Sequence, residues 1–322
     1  MQRRQVLAAG LSLACSIPMI SQADGYPDKP IRVVQGFAAG GNADTIARIV
    51  GAEMSKTLGQ PLMVDALTGA GGTIASGAVA RAKPDGYTLL LATGGHAVAG
   101  ALYSKLSYQT VTDFQAVSTI TFFPFLIVTR ADSPYASLAD LLKAARANSG
   151  SVSYGTAGIG STHHLAGELL VKMSDTSMLH VPYRGDAASI TALLSGEVPF
   201  IIAPPTAVMG NIKAGKLRPL ATTGSQRWSQ MPELPTVSEQ GVPGYEVTSW
   251  AGLMAPAGTP RLIVDQLNAA VQKALQVPQV RARLEEMGGD ARGSTPEAMA
   301  TMLQNELKKW TVVVNEAQIP KQ

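Results

Sequence analysis

Ile31-Arg32-Val33-Val34-Gln35-Gly36-Phe37-Ala38-Ala39-Gly40-Gly41-Asn42-Ala43-Asp44-Thr45-Ile46-Ala47-Arg48 decides the fold class. Its first four residues are the β-branched and arginine pattern of a short strand, ended by Gly36. Asn42 is a side chain suited to an N-cap. Beyond it Ile46, Ala47, Val50, Met54 and Leu58 fall on one helical face, with Gly59 as a stop and Pro61 following. A strand, a glycine-rich turn and an amphipathic helix are the opening of an α/β unit.

The rhythm continues outward from there. Leu62–Val64 is a second strand, and the turn Gly69-Ala70-Gly71-Gly72 leads to a helix over Ala75–Ala82. Tyr87–Ala92 is a third strand, and this βαβαβ order predicts a parallel sheet. The pattern then restarts. Strands are expected at Leu126–Thr129, Val152–Tyr154, Leu179–Val181, Phe200–Ile202 and Leu220–Thr222. Helices are expected from Ser137 to Ala147, Ser161 to Met173 and Ala187 to Leu194. A strand at Trp250–Ala255 precedes three helices, over 260–275, 280–287 and 296–314. Two similar α/β halves predict two lobes, and 322 residues suffice for both. Ligands of such sheets bind beyond the carboxyl ends of the strands. That directs attention to Gly36–Asp44, Thr68–Thr73, Thr93–His96 with Gly94, and Gly155–His163.

The N-terminus reads as an export signal: Arg3 and Arg4, then an apolar stretch from Val6 to Ile20, then Ser21-Gln22-Ala23 as the cleavage site. Ser12 stands where a lipobox before Cys15 would carry Leu, so Cys15 leaves with the signal and the mature chain has no thiol. Removing Arg3 and Arg4 lowers the formal charge from +3 to +1. So small a charge gives no reason to invoke nucleic acid or an anionic membrane surface.

Chemistry-bearing motifs are few. Gly36–Asp44 and Gly155–His163 each join a strand to a helix start, where free N–H groups and the helix dipole favour an anion. Gly210–Lys216 matches a phosphate-loop spacing, but Leu217 stands where a magnesium-binding hydroxyl is needed. No G-x-S-x-G elbow is present. His163 and His164 are adjacent, so on a helix they point about 100° apart and do not share a metal. Neither a cofactor nor a metal is expected. His163, beside the second glycine loop, is the histidine expected to meet a ligand, and Asp44 and Arg48 form a local pair four residues apart.

These motifs resemble one family. Phe37 to Arg48, Asn148 to Leu169, Val181-Pro182-Tyr183-Arg184-Gly185, Ile212 to Leu217 and Leu234 to Val237 are similar to the tripartite tricarboxylate transporter receptors, or Bug receptors. Pro84 to Thr88 and Ala255 to Pro260 fit as well. The resemblance implies a two-lobed periplasmic binding protein, a type II-like Venus flytrap with two crossing segments near Phe125 and Tyr245. It divides the chain into a signal at 1–23, lobe 1 at 24–125 plus 246–322, and lobe 2 at 126–245. It implies capture of a small organic carboxylate, without catalysis, by a monomer that docks on integral membrane transporter subunits. Carried over, the carboxylate meets Ala38–Ala39 and Ser161, Thr162 and His163. Asn42 and Ala43 tune selectivity, and Phe37, Gly94, Thr156 and Ala203 complete the site. Ala203 replaces an Asp that many relatives carry, which argues for a non-amino mono- or dicarboxylate, aromatic acids such as terephthalate included. Phe37, Phe123 and Phe125 would form an apolar wall. An exported hydrolase or isomerase with His163 as base, and a ligand-presenting sensory partner, are the alternatives.

Overall fold

A computed structural model describes residues 25–322. The export signal and Cys15 lie outside these residues. In chain order the elements are β1 (Ile31–Gln35), α1 (Asn42–Leu58), β2 (Leu62–Ala66), α2 (Thr73–Ala80), β3 (Thr88–Thr93), α3 (Gly94–Leu102), β4 (Phe114–Pro124), β5 (Leu126–Arg130), α4 (Leu138–Ala147) and β6 (Val152–Thr156). They continue with α5 (Thr162–Met173), β7 (Met178–Pro182), α6 (Asp186–Ser195), β8 (Phe200–Ala203), α7 (Pro205–Lys213), β9 (Leu217–Thr222), β10 (Thr248–Pro256), α8 (Arg261–Gln276), α9 (Pro278–Glu286), β11 (Asp290–Ala291) and α10 (Pro296–Glu316).

The strands form two sheets. The first runs β11-β4-β10-β3-β1-β2 and the second β7-β6-β8-β5-β9. Each is mixed rather than parallel. β1 pairs in parallel with β2 and β3, and β6 with β7 and β8. β10 runs antiparallel to β3 and β4, and β5 antiparallel to β8 and β9. β5 and β10 are the strands by which the chain enters one sheet from the other.

Those passages are pinned by one threonine. β4 ends at Pro124 in the first sheet and β5 begins at Leu126 in the second, with Phe125 between them. The Phe125 N–H donates to Thr223 Oγ1 at 2.8 Å, and the Thr223 N–H returns a bond to the Phe125 carbonyl at 2.9 Å. The Thr223 hydroxyl donates to the Val247 carbonyl at 2.6 Å. Outgoing and returning segments are thereby tied side by side, with Thr223 fully buried.

Packing follows the period-two rule of strands. On β5, Ile127 joins a large core continuous with the first sheet, while Leu126 and Val128 face a smaller core behind the second. On β8, Phe200 and Ile202 face the first core and Ile201 and Ala203 the second. Both faces of the second sheet are thus covered by apolar layers. No helix among the described residues is long and apolar enough to cross a membrane.

Candidate functional site

The first glycine loop is held by side chains rather than by glycine freedom alone. Gln35, fully buried, accepts the Phe37 N–H at 2.7 Å and donates back to the Phe37 carbonyl at 2.8 Å. Asp44 accepts the Gly40 N–H at 3.0 Å and pairs with Arg48 at 2.8 Å. Burial would raise the Asp44 carboxyl, but the hydrogen bonds from Arg48 and Gly40 outweigh it and hold it below the ordinary value. Asn42 is not the N-cap. Gly41 takes that position without a side-chain bond, and Asn42 Oδ1 instead accepts from Thr206 of α7 at 3.0 Å. The Asn42 side chain therefore bridges the two halves.

The second loop is capped. Ser161 Oγ accepts the His164 N–H at 3.3 Å and donates to the Gly158 carbonyl at 2.6 Å. The halves meet here. Gly71, at φ 62°, lies so close to the second loop that an added Cβ would stand 2.8 Å from the Gly160 carbonyl carbon. No other residue type fits that approach without shifting backbone.

Between the halves lies a small cavity of about 30 Å³, lined by Phe37, Asn42, Ala43, Thr93, Phe123, Phe125, Thr162, His163, Asp186, Pro204 and Ser249. An outer cleft of about 660 Å³ shares Phe37 with it and is lined by Ala38, the 68–71 turn, Ala157–Ile159 and Pro182–Gly185. The inner cavity sits where five helices begin. Asn42 and Ala43 start α1, Thr162 and His163 start α5, Asp186 starts α6, and Thr93 and Pro204 are the N-caps of α3 and α7. Only the α5 start carries a side-chain cap. Each helix start presents about half a positive charge and free N–H groups. Helix starts are favourable places for an anion, and no Lys or Arg stands in the lining.

Two side chains carry its titratable chemistry. His163 is buried, its ring 4.4 Å from the Phe125 ring, and neither ring nitrogen has a hydrogen-bond partner. Its Nε2 lies 3.4 Å from Asp186 Oδ1, which is also buried and unpartnered. Burial pushes the imidazole down to about 3 and the carboxyl up to about 7. Burial thus disfavours the charged form of both groups.

Phe37, Asn42, Ala43, Thr162 and His163 line the cavity together. Ala38 lines the outer cleft, and Ala39 is exposed and lines neither space. Gly94 backs the cavity wall: a Cβ there would stand 2.7 Å from Ser249 Oγ and 3.0 Å from Thr162 Oγ1. Three further expected residues also do not face the cavity. Thr156 bonds His180 Nε2 at 2.6 Å, Ser161 is spent on its cap, and Ala203 packs in the core behind the second sheet. Thr93 belongs to a loop the sequence pointed to; Gln35, Asp186, Pro204 and Ser249 are not among the residues expected from it.

One trio brings possible metal ligands close: His164, Glu168 and His180. Its imidazoles stack at 4.3 Å and 23°, so their in-plane lone pairs run side by side instead of converging on one ion. Glu168 accepts the Tyr154 hydroxyl at 2.6 Å, and the trio fits a partly buried polar packing role.

With this geometry in view, the likeness to known proteins is specific. The description "Tripartite tricarboxylate transporter family receptor" matches residues 46–319. The chain belongs to that family. It is similar to a protein of Pseudomonas sp. strain P51 described as the UPF0065 protein in the tcbD-tcbE intergenic region, at 39% identity over 98% of this chain and 94% of that one. Its fold matches the periplasmic binding protein BugD with a TM-score of 0.88 and 34% identity, over 92% of this chain and all of that one. The R. palustris protein Rpa4515 with adipate matches with the same TM-score at 36% identity, over 92% of this chain and 100% of that one. The fold is that of a two-lobed periplasmic binding protein.

Proposed function

We propose that the protein is a periplasmic receptor that captures a small organic carboxylate between its lobes. It delivers the ligand, chemically unchanged, to membrane subunits of a tripartite tricarboxylate-type transporter. On this reading residues 24–125 with 246–322 form one lobe, residues 126–245 the other, and the mature protein acts as a monomer. The observation that carries the proposal is the convergence of five helix starts on one cavity without a basic side chain. Such a site suits an anion held by backbone N–H groups. The adipate-bound relative supports the same class of ligand.

A hydrolase would hold a hydroxyl nucleophile against its base. Neither nitrogen of His163 has such a partner, which favours capture over chemistry. The cavity's volume of about 30 Å³ is far below the size of a ligand pocket, about 300 Å³ or more. An aromatic diacid such as terephthalate, whose ring would meet Phe37, Phe123 and Phe125, must hold the lobes further apart than they stand here. The sequence's reason for setting aside an amino-bearing ligand was the lack of an acid at Ala203. Asp186 removes that reason by placing a carboxyl in the cavity from another helix.

A thermal-shift panel of organic acids on the mature chain tests the proposal. A ligand at a hundred times its dissociation constant adds about 2.7 kcal/mol of stability, so a true ligand raises the melting temperature clearly. A panel of mono-, di- and tricarboxylates that leaves the melting temperature unmoved would refute it.

A further inference from the structure

We propose that Asp186 and His163 form a specificity pair that reads the end of the ligand opposite its anchored carboxylate, favouring an end with an O–H or N–H donor over a second ionised carboxylate. The inference rests on the carboxylate-capture reading and narrows it.

Three buried polar atoms point to such a role. Both nitrogens of His163 and Oδ1 of Asp186 lack hydrogen-bond partners, although His163 is more than nine-tenths buried. Both residues line the inner cavity. Orphaned buried polar atoms are costly unless something satisfies them, and here the two residues that carry them, from different helix starts, line one space. A hydroxyl satisfies both at once: its proton goes to the Asp186 carboxylate and its oxygen accepts the N–H of neutral His163. An ammonium donates to the Asp186 oxygen and to the unprotonated ring nitrogen, and its charge balances the carboxylate.

A second ionised carboxylate meets the opposite situation. It offers no donor, and it brings a like charge against Asp186 where no Lys or Arg lines the wall. It is accepted only if Asp186 holds a proton and donates it. The other charged groups nearby are engaged elsewhere or lie outside the cavity. Asp44 on α1 is paired with Arg48, His164 on α5 faces Glu168 and His180, and Arg184 ahead of α6 lines the outer cleft. Preference for a donor-bearing ligand should therefore be greatest where Asp186 is ionised and fade on acidification. Burial, which raises this carboxyl to about 7, puts that change near neutrality.

Calorimetric titration of the mature protein with matched pairs tests the inference. The probes are succinate against 4-hydroxybutyrate, adipate against 6-hydroxyhexanoate, and terephthalate against 4-(hydroxymethyl)benzoate, each at pH 8 and pH 6. In the pair that binds, the hydroxyl member should bind about tenfold more tightly at pH 8, the worth of one buried hydrogen bond, and the gap should narrow at pH 6. Asp186→Asn, which keeps the shape and removes the charge, should improve the diacid about tenfold at pH 8 and erase its pH dependence. A gain of affinity cannot come from misfolding. A diacid that equals its hydroxyl partner at pH 8, with a ratio unmoved by Asp186→Asn, overturns the specificity pair while leaving carboxylate capture standing. Binding of no member of any pair overturns the capture reading, and the pair with it.

Discussion

The two glycine loops begin alike in sequence and end in different roles. The Gly36–Asp44 loop opens α1 with Gly41 as an uncapped N-cap. Its polar side chains, Gln35 and Asp44, are spent on fixing its own backbone. It offers the cavity the side chains of Phe37, Asn42 and Ala43. The Gly155–His163 loop opens α5 behind a serine cap and delivers His163 into the same cavity. On the proposed reading, helix starts in both halves supply a general attraction for anions, and the second loop, with Asp186 of α6, supplies the chemistry that tells one ligand from another.

The largest expected effect breaks the first half of that comparison. Ala43 lies in the first turn of α1 and lines the cavity. Ala43→Asp would place a fixed carboxylate where the ligand's is to sit. An acid in a first helical turn suits the dipole, so the helix should persist. Affinity for every carboxylate should fall by about a hundredfold or more, since like charges in a desolvated site cost several kcal/mol. Calorimetry alongside a melting curve separates lost binding from lost fold. A variant that still binds its acid well places the ligand elsewhere. His163→Ala, on the other loop, should act differently. It should weaken donor-bearing acids about tenfold and change the others little, so the order of the panel changes rather than its overall level. A uniform loss across the panel would make His163 a packing residue.

Much of this was legible in the sequence, and the failures have physical causes. The first α/β unit announced itself through an amphipathic helix between two short strands. α4 followed from Ser137, which forms a full capping box with Asp140. β4 was not expected because nearly all its residues are buried, and a strand covered on both faces shows no alternation. α3 begins with Gly94-Gly95 and read as a loop. Packing overrode propensity there: Gly100 lies so near Thr110 and Leu307 that a Cβ would clash with both. Thr156 and Ser161 were drawn into the expected site by loop membership, yet short hydroxyl side chains readily satisfy nearby groups instead of a cavity. Ala203 lies two residues from Ile201 on β8, and strand alternation puts both on the far face. Asp186 was missed because an acid at a helix start reads first as a dipole partner. Nothing in one sequence tells that its carboxyl is enclosed.

Two smaller effects concern stability. His96, His163, His164 and His180 are all pushed down by burial, to between about 3 and about 4, from an ordinary 6.5. Between those limits the unfolded chain binds more protons than the folded one. Stability should therefore fall as pH drops below 6.5. Asp186 opposes this. Its folded value, raised to about 7 from 3.8, means the folded state holds a proton that the unfolded state has lost, so its contribution falls as pH rises through that window. Four groups outweigh one, and melting temperature should decline on acidification from pH 6.5 to pH 4. Asp186→Asn should raise it at pH 8 and leave it nearly unmoved at pH 4. A melting temperature that rises steadily towards pH 4 in the parent protein would show the histidines to be more open to water than their burial implies.

The smallest effect isolates the cap that distinguishes the second loop. Ser161→Ala removes the acceptor for the His164 N–H and the donor to the Gly158 carbonyl. Loss of such a cap costs about 1 kcal/mol. The side chain does not line the cavity, so ligand affinity should fall only as far as the α5 start loosens. The ligand order set by Asp186 and His163 should survive, because neither residue depends on the serine for its own contact. If Ser161→Ala instead removed binding at unchanged melting temperature, the serine would be a direct ligand contact reached only when the lobes stand further apart. The selecting side would then need a third participant.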